Sequence, residues 1–130
     1  MGVKMRKQII AAPGMPPSAV LSPATRFGDL VFVSGRTGRD PSSGQYEPDI
    51  KAQTRHTLEG IKAILEAAGT SMDQVLSNTC YLTSSENFAG FNEVYLEYFP
   101  EARPARTTVE AGLMAAGALV EVTAVACIPS

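Results

Sequence analysis

The sequence predicts an α+β domain in which one β-sheet carries two helices on one face. Three observations predict it. Two segments, 50–68 and 83–99, have helical spacing of apolar residues. Short apolar or β-branched runs lie before, between and after them. The resulting order is one or two strands, helix, strand, helix and two last strands, which suits a single sheet with both helices on the same side.

Residues 5–10 read as a short first strand, and the Pro-, Ser- and Ala-rich stretch 11–24 as a loop. Leu30-Val31-Phe32-Val33-Ser34 is a strand of almost unbroken apolar character, ended by Gly35. Asp40-Pro41-Ser42-Ser43-Gly44 is a turn. In 50–68, Ala52, Leu58, Ile61, Ile64, Leu65 and Ala68 form one stripe, and Gly69 terminates the helix. Residues 75–83 form the next strand, with Leu76, Cys80 and Leu82 on one side. Thr83-x-x-Glu86 reads as a capping box that opens a helix anchored by Phe88, Phe91, Tyr95 and Phe99 and stopped by Pro100. Strands at 105–110 and 118–128 complete the sheet. Strand 30–34 is apolar on both sides, so the sheet face without helices needs cover, and a homo-oligomer is expected to supply it.

At 130 residues, with 45% hydrophobic and 18% charged residues, the chain is expected to be one domain, 1–130, with its own core. A formal charge of -2 gives no general attraction to nucleic acid or to an anionic membrane. No apolar run is long enough to span a bilayer. Lys4, Arg6 and Lys7 are followed by Pro13, Pro16 and Pro17, which do not suit a signal peptide. Cys80 and Cys127 sit in apolar runs, as buried reduced thiols do, without Cys-x-x-Cys or clustered histidines. A cytoplasmic, metal-free protein is expected.

Chemistry concentrates late in the chain. Arg106 opens a β-branched run, where a guanidinium suits two-pronged binding of a carboxylate. Glu121 is the one acid of the last strand. Two readings stay open: the two staple neighbouring strands, or they serve a ligand. Ser34 closes the strongest strand and reads first as a turn residue. Asn92, between the apolar anchors of the second helix, is free to cap a loop, pair across an interface or touch a ligand. Gly35-Arg36-Thr37-Gly38-Arg39 reads as a solvated turn rather than a phosphate cradle. His56 reads as a surface residue without a partner.

These residues together resemble the RidA/YjgF/L-PSP family of reactive intermediate deaminases. The resemblance is carried by Gly28-Asp29-Leu30-Val31-Phe32-Val33-Ser34-Gly35, Gln53-x-x-x-x-Leu58, Ala63-Ile64-Leu65-Glu66-Ala67-Ala68-Gly69, Phe91-Asn92-x-x-Tyr95-x-x-Tyr98-Phe99, Arg103-Pro104-Ala105-Arg106-Thr107 and Val120-Glu121-Val122. It runs from about Ala24 to Ile128. Lys51 to His56 and Ala118 to Glu121 also look like the RutC branch, which is linked to aminoacrylate.

The resemblance implies a chorismate-mutase-like fold with a mixed sheet, and a homotrimer whose sheets form a barrel with sites between subunits. It implies cofactor-free hydrolysis of enamines or imines, of the 2-aminoacrylate or 2-iminopropanoate type, to 2-keto acids and ammonia. Arg106 would grip the substrate carboxylate and Glu121 would position water. Ser34, Asn92 and Thr108 would line the pocket. The family tyrosine falls at Leu21, which cannot donate a hydrogen bond. Thr108 replaces a cysteine, Met114 a proline and Thr123 an acid. The alternatives are a non-catalytic or regulatory binder of small carboxylates, a RutC-like aminoacrylate enzyme, and a ribonuclease or translation inhibitor. The net charge argues against the last.

Overall fold

The structure is a computed structural model that describes residues 5–12 and 14–130. Its strands are β1 (Gln8–Ile10), β2 (Ala24–Phe27), β3 (Leu30–Thr37), β4 (Val75–Leu82), β5 (Ala105–Glu110) and β6 (Val120–Cys127); its helices are α1 (Ile50–Ala67) and α2 (Phe88–Tyr98). All six strands form one sheet in the order β1-β2-β3-β6-β4-β5. Every pair is antiparallel except β4–β5, so the sheet is mixed. It does not close within one chain, and β1 and β5 are its edges.

The topology explains the single helical layer. A parallel step needs a long crossover, here α1 between β3 and β4 and α2 between β4 and β5. Both steps move toward the β5 edge, so crossovers of one hand put both helices on one face. β6 then fills the slot between β3 and β4, antiparallel to both. α1 starts at Asp49, whose Oδ2 accepts from the Ala52 N–H at 3.1 Å. It stops before Gly69, whose φ of +89° suits a residue without Cβ. Leu58, Ile61, Ile64 and Leu65 of α1 and Phe91, Val94 and Tyr95 of α2 are buried over the sheet. Each such side chain contributes about 1.5–3 kcal/mol of burial. The opposing sheet residues are Val31, Val33, Cys80, Leu82, Val120, Val122, Ala124 and Ala126.

The other face is uncovered. Leu30 (39% exposed) and Phe32 (44% exposed) lie on it, with Phe32 paired to Val125 of β6.

Several expectations need correction. β2 lies at the edge of what read as a loop and as chain before the first strong strand; Gly28-Asp29 turns it into β3. β3 does not end at Gly35. It continues to Thr37 through a register shift between Val33 and Arg36, a bulge that places Ser34 and Gly35 opposite the single residue Thr123. Arg36 therefore turns under α1, against Gly60, rather than into a solvated turn. A second shift, between Val75 and Ser77 in β4, leaves Leu76 exposed and off the side of Cys80 and Leu82. The Thr83–Glu86 box does not form. Ser84 is the cap, its Oγ accepting from the Glu86 N–H at 3.1 Å, and a short 3-10 turn precedes α2.

Both cysteines are free; Cys80 is buried and Cys127 half-buried. Among the described residues, no helix is long and apolar enough to cross a membrane.

Candidate functional site

Arg106 and Glu121 lie on opposite faces of the sheet. Arg106 is paired in register with Asn78 of β4, and both side chains project toward the helices. Glu121 alternates with the buried Val120 and Val122 and so projects from the open face. The strand-stapling pair is therefore absent, and the expected site divides into two parts.

The first part lies between α2 and the β5 edge. The Arg106 Nη1 donates to Asn92 Oδ1 at 2.8 Å. The guanidinium carbon stands 4.7 Å from the centre of the Tyr95 ring, 5.6 Å from that of Phe91 and 5.7 Å from that of Phe88. These ring contacts hold a flat cation without consuming its N–H groups. No ion pair among the described residues includes Arg106. The cation is fixed in place and carries no counter-charge. A cavity of about 370 Å³ opens beside it, lined by Asn92, Tyr95, Leu96, Arg103, Pro104 and Arg106.

Beneath the guanidinium is a buried polar layer. Asn78 donates to the Tyr95 hydroxyl at 3.0 Å, and its own Oδ1 has no partner. Burial pushes the Tyr95 phenol above its usual range, opposed by the Asn78 bond and by Arg106. Thr108 follows Arg106 on the same face, paired with Cys80. Its hydroxyl oxygen is buried against the Cys80 thiol, a weak partner, with no nitrogen or oxygen in bonding range. Burial pushes that thiol up to about 11, so it is a neutral packing group.

The second part lies on the open face, around the β3 bulge. The Glu121 carboxylate rests over Gly35, so close that a Cβ there would overlap it, and Thr123 Oγ1 borders the same space. The Ser34 hydroxyl donates to the Ser22 carbonyl at 2.6 Å, and the Ser34 N–H to that of Pro23 at 3.0 Å. Ser34 thereby ties the segment containing Leu21 to the bulge. Leu21 is 54% exposed and lines a cavity of about 270 Å³ with Ala12, Met15 and Ser22. Thr37, the β3 partner of Glu121, shares a 2.6 Å hydrogen bond with the Tyr46 hydroxyl.

Some supporting residues carried little signal. Gln53 is fully buried, and its amide binds three backbone groups: the carbonyls of Glu47 (2.7 Å) and Gly117 (2.9 Å) and the N–H of Leu119 (2.8 Å). It fixes the entry to β6, two residues before Glu121. In sequence Gln53 was visible only as one letter of the family pattern. Asn78 and Tyr95 read as strand and core.

His56 does have a partner. Its Nε2 lies 2.8 Å from Glu47 Oε1, and donor atoms of Asp40, Glu47 and His56 fall within 4.8 Å of one another. This is the only such group of potential metal ligands among the described residues. Asp40 and Glu47 come from the loop before α1 and His56 from α1 itself, and neither part of the expected site includes the group.

Comparisons with known proteins support the family and the fold. The family model described as Endoribonuclease L-PSP matches residues 11–128. The chain is 44% identical over 124 residues to the 3-aminoacrylate deaminase RutC of Acinetobacter baylyi, covering 94% of this chain and 98% of that protein. Among solved structures it resembles RidA from an Antarctic Psychrobacter (TM-score 0.85, 34% identity, 93% of this chain and 99% of that one). It also resembles E. coli TdcF with bound serine (TM-score 0.81, 30% identity, 92% and 98% of the two chains).

Proposed function

The chain belongs to the RidA/YjgF/L-PSP family, and from that premise we propose that it hydrolyses reactive enamines or imines derived from amino acids to the oxo acid and ammonia, with no cofactor. The observation that carries this reading is Arg106: a guanidinium held by Asn92 and the Tyr95 ring, without a counter-ion, beside an open cavity. Such a cation binds a carboxylate through two parallel N–H bonds and with little loss of side-chain freedom.

The chemistry then needs an acid–base group next to the imine carbon. Glu121 is our choice. Its carboxylate takes a proton from water as the oxygen adds to the protonated C=N carbon, and a carbinolamine forms. The same carboxyl returns the proton to nitrogen; as the C–N bond breaks and the C=O bond forms, the hydroxyl proton passes back to the carboxylate and from there to the departing ammonia, which leaves as ammonium. Ser34 and Asn92 shape the pocket, and the Thr108 backbone on the β5 edge offers further bonds. These imines hydrolyse slowly without help, so orientation and one proton relay are enough.

Because Arg106 and Glu121 lie on opposite faces, one chain cannot apply both to one substrate. The reading therefore includes an oligomer in which the β5 edge of one copy meets the open face of the next. A ring of three is the form expected, and each interface then holds one site. The exposed Leu30 and Phe32 favour burial of that face. The relative named a 3-aminoacrylate deaminase supports the deamination chemistry. Leu21, in place of a hydroxyl-bearing side chain, favours the runner-up, a carboxylate binder without turnover.

The test is 2-oxo acid production from imines generated in situ by an amino-acid oxidase, with semicarbazide as a competing trap. Acceleration that is lost in Arg106→Ala supports the deaminase. Tight oxo acid binding with no acceleration for any imine would replace it by the carboxylate binder.

A further inference from the structure

A second cavity of about 200 Å³ lies farther along β5 from Arg106, lined by Leu82, Ser85, Phe88, Thr108, Val109 and Glu110. Two residues join it to the arginine. Thr108 lies two positions beyond Arg106 on the same face of β5, a rise of about 6.5–7 Å. Phe88 lines the cavity, and its ring centre is 5.7 Å from the guanidinium carbon. A ligand held at Arg106 by its carboxylate thus has this cavity as its next neighbour along the strand.

The cavity wall is apolar for a definite reason. Leu82 ends β4 with its side chain buried, and Phe88 opens α2. The polar groups at the rim satisfy each other: the Ser85 N–H donates to Glu110 Oε1 at 2.6 Å. The Thr108 hydroxyl is buried against Cys80 rather than offered to the cavity. Water gains few hydrogen bonds there, whereas hydrocarbon gains contact on several sides.

We propose that this cavity receives the side chain of the substrate, and that the site prefers imino acids with a branched or long apolar side chain to the alanine-derived imine. The methyl group of the alanine-derived acid leaves most of such a cavity empty; a side chain of leucine size fills it. The reaction is taken from the deaminase reading above, but the cavity stands on its own geometry.

Binding of the two product acids separates the possibilities. In titration calorimetry on the intact protein, 4-methyl-2-oxopentanoate is expected to bind at least about tenfold more tightly than pyruvate. Ser85→Phe fills the cavity from the helix side and should bring the ratio of the two affinities close to one. Glu110→Phe, on the same face of β5 as Thr108, fills it from the strand side and serves if the first variant does not fold. Arg106→Ala should weaken both acids alike.

Equal affinities in the wild type, or a ratio unchanged by both filling variants, would overturn the proposal. Turnover of leucine- and alanine-derived imines is then measured on the same protein. A branched-acid preference without turnover of either imine would sink the deaminase and leave the cavity assignment standing. Turnover confined to the alanine-derived imine would overturn the cavity assignment alone.

Discussion

The two parts of the site are built in opposite ways. Around Arg106 the position comes from packing: three aromatic rings and an amide oxygen of α2 surround a side chain on an edge strand. Around Glu121 it comes from backbone: a bulge puts Gly35 beneath the carboxylate, and Gln53 ties down the entry to β6. The first part is complete within one chain. The second faces outward from the uncovered side of the sheet. Under the proposed reaction, a carboxylate-binding end gains from fixed rings, whereas a water-handling end needs only a carboxylate with a clear path.

The strongest attack on this contrast removes each end in a different copy. Arg106→Ala and Glu121→Gln should each lower kcat/KM by roughly 10²–10⁴-fold when alone. Refolded together in equal amounts, they should recover about a quarter of wild-type activity, the share of interfaces that receive both native side chains. No recovery above either variant would mean that one copy supplies both ends.

Gly35→Ala is a milder intrusion. The new methyl meets the Glu121 carboxylate, so kcat should fall on the order of tenfold while KM and the melting temperature change little. A fall in KM-linked binding instead would place Gly35 in the carboxylate grip.

Tyr95→Phe acts on the packed end. It removes the acceptor of a buried amide whose oxygen already lacks a partner, and should cost about 1–3 kcal/mol in urea unfolding. A cost within error would mean that Asn78 finds another partner.

The smallest effect belongs to neither end and calibrates both. Arg55 grips Glu97 at 2.8 and 3.3 Å on the surface, and its hydrogen bonds hold the Glu97 carboxyl below the usual carboxylate range. A depressed pKa stabilises the fold above the unfolded-state value and loses that effect as pH falls through the folded one. The small difference in urea midpoint between wild type and Glu97→Gln should thus exist at neutral pH and vanish in acid. A difference that persists in acid would show packing, not charge.

Much of this was legible in the chain, and for physical reasons. Both helices announced themselves by the spacing of Leu58, Ile61, Ile64 and Leu65 and of Phe91, Tyr95 and Phe99, because burying one face imposes a period. Gly69 and Pro100 marked their ends. Which face each strand residue takes was less legible. Alternation predicts a face only while the register is unbroken, and the bulges at Ser34-Gly35 and near Leu76 break it twice. The extent of β3 past Gly35 was lost for the same reason. β2 escaped because Ala24-Thr25-Arg26-Phe27 is short and takes its strand character from its partners. The residues Arg106, Asn92, Thr108, Ser34, Leu21 and Glu121 were visible as letters, but their division between two faces depends on pairing between strands far apart in sequence.

That pairing also bears on how the protein is made. β6 occupies the slot between β3 and β4, although it is the last strand to be synthesised. Until residues 120–127 leave the ribosome, β3 and β4 have no common neighbour, and Leu30 must wait for Cys127. Contacts so remote in the chain make for slow folding. The same strand carries Glu121, so a chain cut short before it lacks both the middle of its sheet and that carboxylate.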